Sequence, residues 1–289
     1  MKRTLGLTLL LFATLFSCMR QEKPLPAELS RAESVMWEHP DSALSILRSM
    51  PQSSLSSGKN YATWALLLAQ ARDKVYGKRL PDSLNIPSSD KLVQDAMDYF
   101  EKEGNLKRMA QTYYYKGQLL KDQKKITEAM PFFLKSKEMM TKLDEPLFTY
   151  LICQSLGNTY RYQDLYEESL VQLKDAYQYA LRSGNGERIS YALSELGRTY
   201  VHKNEMDSAL FYFGKSLDNA QRLGNIELEA MAMGELGVVY NKLSQGEKAL
   251  HYTRKELDLC LQISSLHKLP QVYYKIGSAF WSLGQLDSA

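Results

Sequence analysis

The residues able to do chemistry are few and poorly grouped. There are four histidines, His39, His202, His251 and His267, and none has a metal-ligand partner at helical or loop spacing. No HExxH or CxxC is present, so the ligand spacings that close a zinc shell are missing. Serines are abundant, but none sits in the G-x-S-x-G turn that exposes a nucleophile. No GxxxxGK[ST] occurs, and Gly197 lies in "ELGRTY", inside a helical pattern rather than in a phosphate-cradling loop. Glu167–Glu168 and Asp144–Glu145 are adjacent acids of the kind general acid–base catalysis uses. Both pairs fall at expected helix starts, where the positive end of the helix dipole accounts for acidic side chains. The expectation is a non-enzymatic protein with no catalytic, cofactor or metal residues.

The totals bound the rest. The chain has 289 residues, 44% apolar and 24% charged, which is the composition of an ordered protein of one or two domains. A net charge of +3 arises from 36 basic and 33 acidic residues that are well mixed, so nothing favours a nucleic-acid partner. The first residues differ from the remainder. "MKR" is followed by an apolar run, "TLGLTLLLFATLF", shorter than the roughly 20 residues a helix needs to span a bilayer. Residues 1–17 therefore read as a signal peptide. They end in "LFSC", which resembles a bacterial lipobox, with Leu15 three before Cys18 and Phe16 off the strictest pattern. That resemblance implies cleavage before a lipidated Cys18, with residues 18–26 as a tether. Acyl chains add about 0.8 kcal/mol per buried CH2, so they would hold the protein on a membrane without a spanning helix. Cys153 and Cys260 are expected as two separate, mostly buried thiols.

What must position any functional side chain is a repeat. Gly117, Gly157, Gly197, Gly237 and Gly277 recur every 40 residues. Leu120, Tyr160, Tyr200, Tyr240 and Phe280 follow three places later, and Ala129, Ser169, Ala209, Ala249 and Ala289 twelve places later. Gly104, Asp144, Gly184, Gly224 and Ser264 mark seams between units, three of them followed by Asn105, Asn185 or Asn225. These pairs suit left-handed helix C-caps. Asp164, Asn204 and Ser244, each followed three places on by Glu167, Asp207 or Glu247, are expected as helix N-caps. Apolar residues recur at three- and four-residue steps, the helical period. Each unit thus reads as helix A, turn, helix B, turn. The small residues let the helices approach, and the aromatic fills the space between them. Pro131 falls early in the first regular helix B, which is expected to start late, near Thr127.

Small residue, aromatic three on and small residue twelve on resembles the tetratricopeptide repeat, here in a 40-residue variant over 105–289. The resemblance implies an all-α, right-handed superhelical solenoid of antiparallel helix pairs. Thr253 departs from it, since Phe133 and Phe213 lead one to expect an aromatic there. Residues 27–104 read as degenerate helix pairs, with a loop at 51–60 and a long connection over 75–87. The chain stops at the start of a helix B, so a longer natural protein is expected.

The same resemblance implies a groove lined by the A helices, whose residues include Tyr114, Gln118, Gln154, Asn158, Arg161, Tyr191, Arg198, Asn241 and Tyr274. Gln118, Asn158 and Arg198 hold one position in three consecutive units, and their donors suit an extended peptide backbone or a carboxylate. The family's carboxylate clamp is not present. The resulting expectation is a protein- or peptide-binding scaffold anchored in the cell envelope. The side expected is periplasmic, because "MRQEK" after Cys18 lacks the acidic run that resembles a surface-export signal. The alternative is the sensory part of a membrane-bound transcriptional regulator, which the repeats and signal also resemble. A glycan-binding surface lipoprotein is rejected because such chains are larger and interrupt their repeats with long loops.

Overall fold

A computed structural model describes residues 24–76 and 88–284. The expected signal peptide, Cys18, most of the tether, most of the 75–87 connection and Ala289 lie outside the described residues. Among these residues every regular element is helical. The chain divides into two compact units, residues 1–99 and 100–289.

In the first unit, α1 (Ala27–Val35), α2 (Pro40–Ser49) and α3 (Gly58–Tyr76) form its packed core. Leu29, Ala32, Ala43, Leu44 and Leu47 are buried between them. The Trp64 indole donates to the Leu47 carbonyl at 2.8 Å. The expected 51–60 loop is shorter than its Ser and Gly content suggested. A 3-10 turn occupies Gln52–Leu55 and α3 already starts at Gly58, with the Asn60 amide donating to Ser57 Oγ at 3.1 Å. α4 (Ser89–Glu103) runs to the boundary of the unit, and Tyr61 donates to its Asp95 at 2.8 Å.

The second unit keeps the 40-residue period. Its A helices are α5 (Leu106–Asp122), α7 (Pro146–Arg161), α9 (Gly186–His202) and α11 (Ile226–Lys242). Its B helices are α6 (Ile126–Leu143), α8 (Tyr166–Ser183), α10 (Met206–Leu223) and α12 (Gly246–Gln262), and α13 (Leu269–Ser282) is a fifth A helix. Each A helix packs on its own B helix, and each B helix on the next A helix. The architecture is an all-α solenoid of antiparallel helix pairs.

A built Cβ shows why glycine stands where each pair closes. At Gly117 it would meet the Phe133 ring at 2.7 Å, at Gly157 Leu173 at 2.5 Å, at Gly197 Phe213 at 2.5 Å, and at Gly237 Thr253 at 2.6 Å. These are all closer than real carbon contacts. The residue sixteen places after each glycine therefore lies on its bare backbone, and Thr253 fills the aromatic's place with a methyl group. Ala129, Ser169, Ala209 and Ala249 are fully buried along the same seams. Tyr200 stacks on Tyr212 and Tyr240 on Tyr252, each with ring centroids 5.3 Å apart.

The mid-unit turns differ from the sequence reading. Asp164, Asn204 and Ser244 are not N-caps: their φ values of 59°, 64° and 56° put them in the left-handed region. They close helix A instead. The Asp164 amide donates to Arg161 O at 3.1 Å and the Leu165 amide to Tyr160 O at 3.0 Å, the paired bonds of a Schellman motif. Asn and Asp tolerate this conformation because their short polar side chains bond locally. The B-helix caps, Leu165, Glu205 and Gln245, make no side-chain capping bond. Side-chain capping happens at the seams, where Asn105, Asn185 and Asn225 accept from the amides of Arg108, Arg188 and Leu228 at 3.0–3.1 Å. Pro131 does not delay its helix either. α6 begins at Ile126, forty residues before Tyr166 of α8, and takes the proline inside its length.

Candidate functional site

The side chains of the A-helix face come from helical positions set by the repeat, so equivalent residues recur every 40 along the unit. Most of those expected to be open donors are committed to the neighbouring A helix. Gln118 Nε2 donates to Ser155 Oγ at 3.2 Å and to Tyr114 OH at 2.6 Å. Arg161 is ion-paired with Glu195 at 2.8 Å and reaches Thr199 Oγ1 at 3.3 Å. Arg198 donates one Nη to Glu195 at 2.7 Å and the other to Glu235. These bonds tie each unit to the next across the A face.

The other expected groove residues divide. Tyr114 is 5% exposed, wedged edge-on against Tyr115 and Phe148, so it belongs to the core and not to an open groove. Gln154 and Asn158 are half-buried on α7, and Asn158 Oδ1 is buried without a hydrogen-bond partner. Tyr191 is half-buried with the Arg188 guanidinium 5.8 Å from its ring. Asn241 accepts from Ser282 at 2.6 Å. Tyr274 is 77% exposed and lines a shallow hollow with Asn241, Gly277 and Trp281.

The structure brings together a charged cluster that the sequence reading passed over. Arg161, Arg198 and Lys275 interleave with Glu195, Glu235 and Glu256 on α7, α9, α11, α12 and α13. Lys275 Nζ donates to both oxygens of Glu256, at 2.7 and 2.9 Å. Burying a carboxylate is costly unless a cation compensates it. Burial pushes the Glu235 carboxyl up to about 7, with Glu195 adding to the push and Arg198 and Lys275 opposing it. Glu256 is likewise raised by burial against the pull of Lys275. For Arg198, desolvation works against its charge, but Glu235 and Glu195 outweigh it and its pKa is raised. The signal that could have found this cluster was the repeated "ELG". Glu195 and Glu235 are ionic residues forty apart inside an otherwise small and apolar helix face, in register with Arg198.

Two cavities open beside the Arg198–Glu235 pair. One, of about 350 Å³, is lined by Tyr191, Met231, Cys260 and Gln271 together with Arg198, Glu235, Glu256 and Lys275. The other, of about 280 Å³, lies against Val201, Gly234 and Val238. Arg198, Glu235 and Lys275 line both. Gly234 leaves room for the Glu256 carboxylate. Its equivalents 120, 80 and 40 residues earlier are Tyr114, Gln154 and Ser194, whereas a Cβ at 234 would sit 2.4 Å from the Glu256 carboxylate. Cys153 and Cys260 are separate buried thiols, and burial raises both above the usual thiol range. Among the described residues no group of His, Cys, Asp and Glu has metal-site geometry, and no helix is long and apolar enough to cross a membrane.

Residues 110–139, which cover most of α5 and most of α6, match the family model of the tetratricopeptide repeat. No curated protein matches the chain. Among solved structures, the apo form of RapI is similar with a TM-score of 0.73 and 14% identity, over 90% of this chain and 72% of that one. Aspartyl phosphate phosphatase F from Bacillus subtilis is similar with a TM-score of 0.62 and 15% identity, over 90% and 70%. The Rap conjugation gene regulator of plasmid pLS20 in complex with the Phr* peptide has a TM-score of 0.54 and 18% identity, over 90% and 70%. At these identities the likeness is one of fold. The match over 110–139 marks one tetratricopeptide repeat, and the helix-pair fold of the second unit is similar to that of these structures.

Proposed function

We propose that the chain is a non-enzymatic scaffold that binds a protein or peptide segment along the A-helix face of its second unit. The observation that carries this reading is the pair of cavities, about 350 and 280 Å³, on that face beside the Arg198–Glu235 pair. A solenoid presents such a face because each unit buries only what its neighbour covers, so the A helices keep one side for another molecule. Peptide binding by the fold is supported by the pLS20 regulator, whose structure holds a Phr* peptide. The cluster's cations and carboxylates are paired with one another, which suits positioning of a partner rather than acid–base work. The phosphatase shares only the fold, and its activity is not carried over.

The "LFSC" stretch supports a second part of the proposal. Lipidated Cys18 would hold the scaffold on the cell envelope, on the periplasmic side, with residues 19–26 as tether. Palmitate labelling of wild type and Cys18→Ala tests it; equal labelling of the two would refute the anchor.

For the binding face, a photo-crosslinking amino acid is placed at Asn158 or Val238 on the A helices, and at Val171 or Phe211 on the exposed side of the B helices. Covalent partners are expected from the first two positions. Partners trapped only from Val171 and Phe211 would refute the assignment.

A further inference from the structure

Two carboxylate oxygens of the charged cluster, Glu195 Oε2 and Glu235 Oε2, are buried without a hydrogen-bond partner, and of these Glu195 Oε2 is ion-paired with Arg161 at 2.8 Å. Arg198 places its two Nη groups on two different carboxylates, and Lys275 is spent on both oxygens of Glu256. Glu235 gives Oε1 to Arg198, while its Oε2 is buried and has no hydrogen-bond partner. That oxygen belongs to a residue lining both cavities, one of which Gly234 also lines. A buried carboxylate oxygen without a donor is destabilising, so a ligand that supplies one gains affinity. Further along the same face, Gln118 Oε1 and Asn158 Oδ1 are also buried acceptors without a partner. Gln118 Oε1, Asn158 Oδ1 and Glu235 Oε2 thus all call for a donor.

An anionic ligand meets the opposite situation. Glu195, Glu235 and Glu256 already lie against Arg198 and Lys275, and their charge repels it. We infer that the socket at Gly234 takes a lysine or arginine side chain of the bound peptide, with its cationic head donating to Glu235 Oε2. Burial holds the Glu235 carboxyl at about 7, and an incoming cation favours its charged form. Val201 and Val238, in the cavity that Gly234 also lines, suit the methylene stem of such a side chain. The inference rests on the peptide-binding reading above and names which side chain selects the peptide.

The test uses the full chain and octapeptide pools, each with one residue fixed and the rest randomised, in a fluorescence-polarisation assay. Pools fixed as Lys or Arg are expected to bind about ten-fold or more tighter than pools fixed as Glu or Leu, as one charged hydrogen bond provides. Glu235→Gln should abolish that preference, and Glu227→Gln, at the exposed rim, should keep it. Gly234→Ala keeps Glu235 but drives the Glu256 carboxylate into the socket, and should weaken the basic pools selectively. Circular dichroism of each variant checks that it folds. A preference for Glu pools, no preference, or a basic preference that survives both Glu235→Gln and Gly234→Ala would overturn this inference while the peptide reading stands. Failure of every pool to bind would overturn both.

Discussion

Gly197 and Gly214 lie in one helix pair and should answer the same substitution with opposite signs. Both are interior helical glycines, and alanine at either gains about 1 kcal/mol of helix propensity. At Gly214 a Cβ meets nothing within 4 Å, so that gain is realised in full. At Gly197 the new carbon would lie 2.5, 2.6 and 2.8 Å from three atoms of the Phe213 ring. The ring cannot swing away, because Phe213 is 2% exposed and enclosed by Ala209, Leu236 and Val239. Overpacking of this kind costs about 1–3 kcal/mol before the propensity gain is subtracted, and more where the helices must separate. Gly197→Ala is therefore expected to lower stability by about 1–2 kcal/mol, and Gly214→Ala to raise it by up to about 1 kcal/mol. In a unit of this size each kcal/mol moves the melting temperature by roughly 2–4 °C, within reach of circular dichroism at 222 nm. If Gly197→Ala stabilised the protein as much as Gly214→Ala does, the close approach of helices A and B at the glycine seam would be refuted.

The charged cluster gives two further outcomes. Arg198→Met should lower stability by about 3 kcal/mol at pH 8, because Glu235 loses its partner and Glu195 keeps only Arg161, and the loss should shrink at pH 5, where Glu235 takes up a proton; urea midpoints at the two pH values measure it. The Glu235 carboxyl is raised from 4.5 to about 7 in the folded chain, so it binds protons more tightly folded than unfolded. Its contribution is complete below pH 4.5 and is lost as pH rises through 7, so the stability of wild type relative to Glu235→Gln should fall by about 3 kcal/mol over that interval. A flat difference would contradict the burial of Glu235. Asn185→Ala should cost about 1 kcal/mol through loss of the cap on the Arg188 amide, while Asn204→Gly should cost little, because Asn204 serves by its left-handed backbone and not by its side chain; unfolding midpoints of the two variants decide.

The helix pairs were legible because the signals were periodic and strong. A glycine every 40 residues, with an aromatic and a small residue in fixed register, leaves few other packings. The left-handed turns at Asp164, Asn204 and Ser244 were misread because Asp, Asn and Ser serve equally as N-caps and as left-handed C′ residues. Only the backbone bonds of Leu165 and Asp164 separate the two roles. For Pro131 the expected start near Thr127 agrees within one residue with Ile126, but the repeat register shows that this start is not a delay. The line of A-helix residues was legible by position but not by state. Register alone places Gln118, Asn158 and Arg198 on one line, yet whether Arg198 is open depends on Glu235, 37 residues away and on another helix. Tyr114 shows the same limit: its position is groove-facing, and the rings of Tyr115 and Phe148 bury it. Gly234 is a residue whose meaning lies in what it omits, and only the neighbouring Glu256 reveals it.

A crystal structure of the chain grown with an octapeptide from the best-binding pool tests the account most directly. The account predicts an extended backbone crossing the A helices at Asn158, Arg198 and Val238, with a basic side-chain nitrogen about 3 Å from Glu235 Oε2. A peptide seated instead on the B helices, against Val171 and Phe211, would contradict it.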